Sequence, residues 1–300
     1  MYSTDRQFSP AATLFEKSVQ ICEIRLILVP YICPVNTTRK KTFFVSDFHL
    51  GADARLSSAE RERQVCRWLD SIAPEAEAIY LVGDLFEFWF EYQTVVPKGF
   101  TRFLGKLAAL RDAGIPIYAF IGNHDLWMFG YFEQEFGIPV YRNPIQREIH
   151  GKTFFIGHGD GLGPNDLGYK RMKKVFVHPL SQWLFGWLHP DLGTRLAHFF
   201  SKTSRAATPP EERAWLGEDK EWLLQYCHRK VEQGIEPDYF IFGHRHLPID
   251  WLMQNGKSRY INLGEWMFHC SYAVFDGVDL ELRFFEQEQG EAVKGSCTPP

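Results

Sequence analysis

Five short segments hold most of the donor groups with which this chain could do chemistry: Asp47-Phe48-His49, Gly83-Asp84, Gly122-Asn123-His124-Asp125, Gly157-His158-Gly159-Asp160 and Gly243-His244-Arg245-His246. Beyond His124 they include four imidazoles (His49, His158, His244, His246), the two carboxylates Asp47 and Asp84 and one amide (Asn123), all nitrogen or oxygen donors of borderline-to-hard character. Seven such groups are too many for one tetrahedral zinc. They suit two octahedral-like divalent cations that share a bridging carboxylate and keep positions for water and substrate. Two cations about 3.5–4 Å apart clamp the attacking and leaving oxygens of an in-line phosphoryl displacement. Each segment alone is weak, because a lone histidine behind a strand is more often a satisfied core residue than a ligand. Five in order, each in the same kind of place, reverse that reading.

That place is the end of a strand. Thr42–Val45, Ala78–Val82, Ile117–Ile121, Thr153–Ile156 and Tyr239–Phe242 are short apolar runs, and each gives way to Asp, Asn or His, four of them just past a glycine. Val65, Trp68, Leu69 and Ile72 recur at helical spacing and predict a helix from about Ala59 to Ile72, with a second over Phe100–Leu110. Strands alternating with amphipathic helices indicate βαβ units and a mostly parallel sheet. Ligands gather beyond the carboxyl ends of the strands in open α/β sheets, so residues far apart in sequence can converge there. A sharp turn off a strand often needs backbone angles that glycine adopts at low cost, which would explain the recurring glycines. Alternation from Asp250 to Phe285 predicts a closing run of strands.

Composition bounds the rest. The 300 residues, 45% apolar and 23% charged, fit a globular α/β protein and exclude a disordered or fibrous one. Lys plus Arg is 33 and Asp plus Glu is 37, so the net charge of −4 excludes a globally basic nucleic-acid coat, though not a local basic patch, and no nucleic-acid partner is expected. No apolar stretch is long enough to span a bilayer. The six cysteines are scattered with no CxxC, as in a reducing cytosol. Residues 1–40 read as a loosely attached extension, 41–290 as the main domain and 291–300 as a disordered tail.

Between about 165 and 210 the text changes. From Lys170 to Pro210, seven basic residues (Lys170, Arg171, Lys173, Lys174, Arg195, Lys202, Arg205) face one acid, Asp191, and are interleaved with Trp183, Phe185, Trp187, Phe199 and Phe200. Pro179 and Pro190 divide the stretch into two or three short helices. Two readings stand: an ordinary helical cap with solvated charges, or a lid with an apolar groove and a basic rim suited to an amphipathic anion or a membrane surface.

The five segments, in order over about Thr42 to Leu263, resemble the signature of the calcineurin-like metallophosphoesterase superfamily. The resemblance implies an α/β sandwich of two mixed sheets flanked by helices, here with a helical lid insertion. It implies a first cation held by Asp47, His49, Asp84 and His246, and a second held by Asp84, Asn123, His158 and His244, with Asp84 as the bridge. His124 would contact the phosphoryl oxygen or protonate the leaving group, a task that suits an imidazole near neutral pH. Two divalent ions, Mn²⁺ first among them, are the expected cofactors.

Gly157-His158-Gly159-Asp160-Gly161-Leu162, then Asp166-x-x-Tyr169, a basic helix, His178-Pro179 and the aromatic insert are similar to the UDP-2,3-diacylglucosamine pyrophosphohydrolases of lipid A synthesis. This closer resemblance implies a lipid-linked nucleotide sugar as substrate, cleaved to UMP and diacylglucosamine 1-phosphate. The substrate contacts would be Asn123, His124, Asp166, Tyr169, Ser204 and His246. It also implies a cytoplasmic enzyme, peripheral on the cytoplasmic face of the inner membrane through the basic and aromatic lid. That family commonly has arginine where this chain has His124. A metallophosphatase of small or protein substrates and a non-catalytic scaffold on the same fold are the alternatives. Glu87 reads either as a support for a ligand histidine or as a solvated carboxylate, Glu265 as structural, and Phe86–Phe90 as core or as the wall beside the lid.

Overall fold

Consecutive apolar residues in a strand must bury both of its faces, and the first strand does so at its carboxyl end. Within β1 (Lys41–Val45), Phe43 and Val45 join one core cluster while Phe44 joins another on the opposite face. β2 (Ala76–Val82) repeats the division, with Ile79 and Leu81 on one side and Tyr80 and Val82 on the other. These elements come from a computed structural model of the chain, which describes residues 41–163, 167–207, 214–287 and 290–297, without the side chains of 167 and 202–207. The extension expected over 1–40 lies outside the described residues.

Two six-stranded mixed sheets result, numbered here in chain order. The first runs β11-β10-β1-β2-β3-β4 and adds β3 (Ile117–Phe120), β4 (Val140–Tyr141), β10 (Ser271–Phe275) and β11 (Leu280–Phe284) to β1 and β2. The second runs β12-β8-β9-β7-β6-β5, built from β5 (Ile145–Ile149), β6 (Lys152–Ile156), β7 (Tyr239–Phe242), β8 (Pro248–Leu252), β9 (Arg259–Leu263) and β12 (Val293–Ser296). Register explains the convergence of the motifs. β1, β2 and β3 are parallel with Val45 opposite Leu81 and Val82 opposite Phe120, and β6 and β7 are parallel with Ile156 opposite Ile241. The loops that follow these strands therefore leave from one edge.

The core has three layers of packing. Between the sheets lie Phe44, Tyr80, Phe120, Phe154, Ile241 and Phe275. On the outer face of the first sheet, α1 (Ser58–Ile72), α2 (Thr101–Asp112) and α3 (Tyr131–Phe136) bury Trp68, Leu69, Phe103, Leu107 and Phe132. On the outer face of the second, α7 (Trp222–Glu232) buries Leu223, Leu224 and Cys227. The start of α1 is fixed by a capping box: the Ser57 hydroxyl accepts from the Glu60 amide, and the Glu60 carboxylate accepts from the Ser57 amide at 3.0 Å.

The stretch 167–207 forms three helices, α4 (Leu167–Phe176), α5 (Pro179–Gly186) and α6 (Pro190–Ala207). Pro179 and Pro190 open α5 and α6, where a missing N–H is harmless. Each is preceded by a histidine whose Nδ1 accepts a backbone N–H, His178 from Leu180 at 3.2 Å and His189 from Asp191 at 3.3 Å. Phe185 seats α5 on Phe88, Phe90 and Trp127. Leu180, Trp183, Leu184, Phe199 and Phe200 stay exposed, and Trp187 is 75% exposed. Among the described residues no helix is long and apolar enough to cross a membrane.

One expectation fails. The tail read as disordered over 291–300 contributes β12, whose Val293–Ser296 pairs in parallel with Ile249–Leu252 of β8. Its sequence, Val-Lys-Gly-Ser, has no apolar alternation; backbone pairing and the packing of Gly295 against Trp251 hold it instead.

Candidate metal centre

Three of the five loops carry their donors on an unusual backbone. Asp47 (φ 56°), His49 (φ 45°), Asp84 (φ 51°), His244 (φ 67°) and His246 (φ 56°) all sit in the left-handed region that non-glycine residues avoid. Of the four glycines that follow the strands, only Gly83 has a positive φ (85°). The expectation that glycines absorb the strain is thus corrected, because the donor residues themselves carry it. Gly122 and Gly243 serve close approach instead: a Cβ on Gly122 would collide with the Asp84 carboxylate, and one on Gly243 with that of Asp47. Such strain persists only where the surroundings over-determine it, and it clusters at functional sites.

Each of the two carboxylates divides its oxygens between tasks. Asp47 Oδ2 accepts the His244 amide at 3.0 Å, and Asp84 Oδ1 accepts the His124 amide at 2.8 Å. The other oxygens, Asp47 Oδ1 and Asp84 Oδ2, are buried with no hydrogen-bond partner. Asp47 Oδ1 lies 3.1 Å from His246 Nε2 and 3.6 Å from His49 Nε2, while the two Nε2 atoms are 3.1 Å apart. Asp84 Oδ2 lies 3.8 Å from His49 Nε2 on one side and 3.2 Å from His158 Nε2 on the other. Asp47, His49, Asp84 and His246 thus present donor atoms within 4.8 Å of one another, and so do Asp84, His158 and His244. Asn123 Oδ1 joins the second group at 3.4 Å from His158 Nε2. All seven residues expected from the sequence meet, with Asp84 common to both groups. The orphaned carboxylate oxygens and facing imidazole nitrogens suit two divalent cations.

The imidazoles are oriented for that use. His158 Nδ1–H donates to the Val82 carbonyl at 2.8 Å, which turns Nε2 toward Asp84, where a cation could take the place of its proton. His49 Nδ1 faces Glu87 Oε2 at 3.3 Å, so Glu87 is a buried partner of His49 and not a solvated carboxylate. His124 Nδ1 lies 3.0 Å from the Glu87 carbonyl, so an Nδ1–H donated there leaves Nε2 outside that bond.

The electrostatics are those of a site built around positive charge. Burial works to raise the carboxyls of Asp47 and Asp84, yet both are held well below the usual range, by the hydrogen bonds of His246 and His49 on Asp47 and by the charges of His158 and His124 on Asp84. Burial works against charge on His49 and His158, but both are pushed up to about 10, the first by Asp47 and Glu87, the second by Asp84. A divalent cation would take over the work of those protons. His244 is pushed down to about 4 by burial and by the charge of His158, and burial lowers His124.

Several supports were not among the residues read as functional. Arg61, 0% exposed, sends Nε to the Phe48 carbonyl at 2.8 Å and Nη2 to those of His49 (2.6 Å) and Ala52, which pins the loop carrying His49. Asp125 ties Gly122, Asp84 and Leu85 by their amides, and burial beside Asp84 pushes its carboxyl up to about 7. Asn262 bonds the Gly243 carbonyl at 2.5 Å, and Glu265 caps the amides of Met267, Phe268 and His269. A buried charge or amide behind a motif is visible in sequence only as an ordinary polar residue on an apolar face. Arg245 turns away from the donors to pair with Glu221 at 3.0 Å.

Tyr169 lies on α4, its hydroxyl donating to Asp160 Oδ2 at 2.5 Å. Asp166 lies outside the described residues, as does the side chain of Ser204. Phe86 and Trp89 are core, whereas Phe88 and Phe90 form the wall against the insert.

Comparison with known proteins agrees with this geometry. The family profile described as calcineurin-like phosphoesterase matches residues 40–248. A protein of Porphyromonas gingivalis named UDP-2,3-diacylglucosamine hydrolase is 40% identical over 261 residues, 83% of this chain and 98% of that one. A protein of the same name from Aeromonas salmonicida is 28% identical over 238 residues, 78% of this chain and 89% of its own.

Proposed function

The chain belongs to the calcineurin-like phosphoesterase family, and from that premise we propose that it is a dinuclear-metal hydrolase of UDP-2,3-diacylglucosamine, releasing UMP and 2,3-diacylglucosamine 1-phosphate in lipid A synthesis. The observation that carries the reading is the seating of an aromatic, basic insert beside the seven convergent donors, in a chain aligned with nearly the whole length of the Porphyromonas relative. A diacylated nucleotide sugar is anionic at one end and apolar at the other. Burying its chains is worth about 0.8 kcal/mol per methylene, so the insert can hold the substrate while the donors act on the pyrophosphate.

In this reading Asp47, His49, Asp84 and His246 hold one cation and Asp84, Asn123, His158 and His244 the other, with Mn²⁺ as the metal. Bound there, the pair would neutralise the pyrophosphate and supply a nucleophilic water. Water oxygen adds to the uridine-side phosphorus, its protons pass to solvent, and the bond to the bridging oxygen breaks. The leaving group is a phosphate monoester, stable as an anion at neutral pH, so it needs no proton. His124 therefore acts on a non-bridging oxygen. Burial keeps the free ring neutral, and an arriving phosphoryl charge favours the protonated form that donates from Nε2. Asp166, Tyr169 and Ser204 contribute, with Asn123, His124 and His246, the contacts to nucleotide and sugar. The exposed Trp183, Trp187, Phe199 and Phe200 beside the exposed Arg171, Lys174 and Arg195 support peripheral attachment to the cytoplasmic face of the inner membrane.

The test is incubation of the purified protein with Mn²⁺ and UDP-diacylglucosamine in ¹⁸O-water. UMP should appear carrying the label. Rapid turnover of a small aryl phosphate with no UMP formed from the lipid nucleotide would instead assign a general phosphatase.

A further inference from the structure

Glu87 is 2% exposed, and its two oxygens face different parts of the molecule. Oε2 lies 3.3 Å from His49 Nδ1. Oε1 accepts the hydroxyl of Ser201, a residue of α6 in the insert. Its backbone is fixed as well, the amide donating to the Leu50 carbonyl at 2.8 Å and its carbonyl lying 3.0 Å from His124 Nδ1. A carboxylate taken this far from water must recover its hydration through such partners. The other end of the insert is held separately: Tyr169 Oη and Lys173 Nζ of α4 both reach Asp160 Oδ2 at 2.5 Å.

We propose that Glu87 is a positioning residue shared by the metal centre and the lid: it orients His49 with one oxygen and latches α6 through Ser201 with the other, so that metal occupancy and the order of α6 are coupled. This inference rests on the dinuclear-metal reading above. A carboxylate on the far nitrogen of a ligating histidine fixes its ring and raises its basicity. A cation that fixes His49 thereby fixes Glu87 and the helix bonded to it. Coupling between two sites is reciprocal, so an ordered α6 must in turn favour the cation.

Hydrogen exchange of the full chain, with and without Mn²⁺ and without substrate, tests the latch. Metal should slow exchange over Pro190–Ser201 by about fivefold or more, a factor at the lower end of ordinary couplings. In Ser201→Ala that metal-dependent protection should vanish while the protection of α4 stays, and Ser201→Thr, which keeps the hydroxyl, should restore it. Paramagnetic-resonance titration should find Mn²⁺ binding to Ser201→Ala weakened by no more than the same factor. Equal metal-dependent protection of α6 in Ser201→Ala overturns the latch. Loss of protection over both helices alike also overturns it, because Ser201 would then be serving the folding of the insert. If the wild-type protein fails to bind Mn²⁺, the dinuclear reading itself falls and takes the latch with it.

Discussion

Asp84 is the residue on which both halves of the site depend. One oxygen is occupied by the His124 amide, and the other stands between His49 and His158 without a hydrogen-bond partner. Asp84→Asn preserves the volume and the bond to His124 but removes the charge and leaves an amide where the two-metal proposal places a bridging carboxylate. Mn²⁺ affinity and UMP release should fall together, each by more than the 10–100-fold that is typical of residues that merely support a ligand. Titration by paramagnetic resonance beside a turnover assay would show it, and a variant that kept both near wild type would remove the two-metal basis of the proposal. The donors were legible in sequence because each is a polar residue stopping an apolar run. The strain was not: nothing in the letters of Asp47 or His246 announces a left-handed backbone, which the loops acquire only when packed together. Arg61 was equally opaque, since its value lies in four carbonyls, those of Phe48, His49, Ala52 and Leu56, in a loop that sequence cannot fold.

At the scale of elements, the strands that end in donors could be read because the carboxyl end of each buries both faces and so forms an apolar run. α7 has a visible stripe of Leu223, Leu224 and Cys227 but was not among the predicted elements, and β8 begins at a proline, which disguises it. β4 and β12 are too short or too polar to read, being held by pairing rather than burial. The insert is the reverse case, with more apolar surface than its packing uses. α5 buries none of its residues, and Phe185 is its main contact with the wall of Phe88, Phe90 and Trp127. If that surplus serves lipid, Trp183→Ser with Trp187→Ser should cut partitioning onto anionic vesicles by about 10-fold, the loss expected on removing two interfacial aromatics. The melting temperature should hold, because both rings are already exposed. KM for the diacylated substrate should rise while a short aryl ester is turned over as before. Equal losses on the two substrates would make the insert a structural cap.

Across the whole molecule, the site joins the two sheets. Asp47, His49, Asp84 and Asn123 follow strands of the first sheet, whereas His158, His244 and His246 follow strands of the second. Cations held between them would cross-link the sandwich at one edge, and their removal leaves buried carboxylates balanced only by protons on His49 and His158. Both imidazoles are raised to about 10 from an ordinary 6.5. Groups raised in this way contribute stability that is fully present below the unfolded value and is lost as pH climbs through the folded one. Between pH 7 and 10 the metal-free protein should therefore lose up to about 1.4 kcal/mol per pH unit for each proton it retains and the unfolded chain does not. His244 and His124, both lowered, are neutral in folded and unfolded chains across this window and leave the slope unchanged. Mn²⁺ at about 100 times its dissociation constant should add about 2.7 kcal/mol, or roughly 5–10 °C for a domain of this size. It should also flatten the alkaline decline, because the cations take the place of the protons. Calorimetry of chelated and Mn²⁺-loaded protein at pH 7, 8.5 and 10 measures both effects. A metal-free melting temperature that stays level or rises over that range would show that His49 and His158 are not the protonated counter-charges of the buried carboxylates.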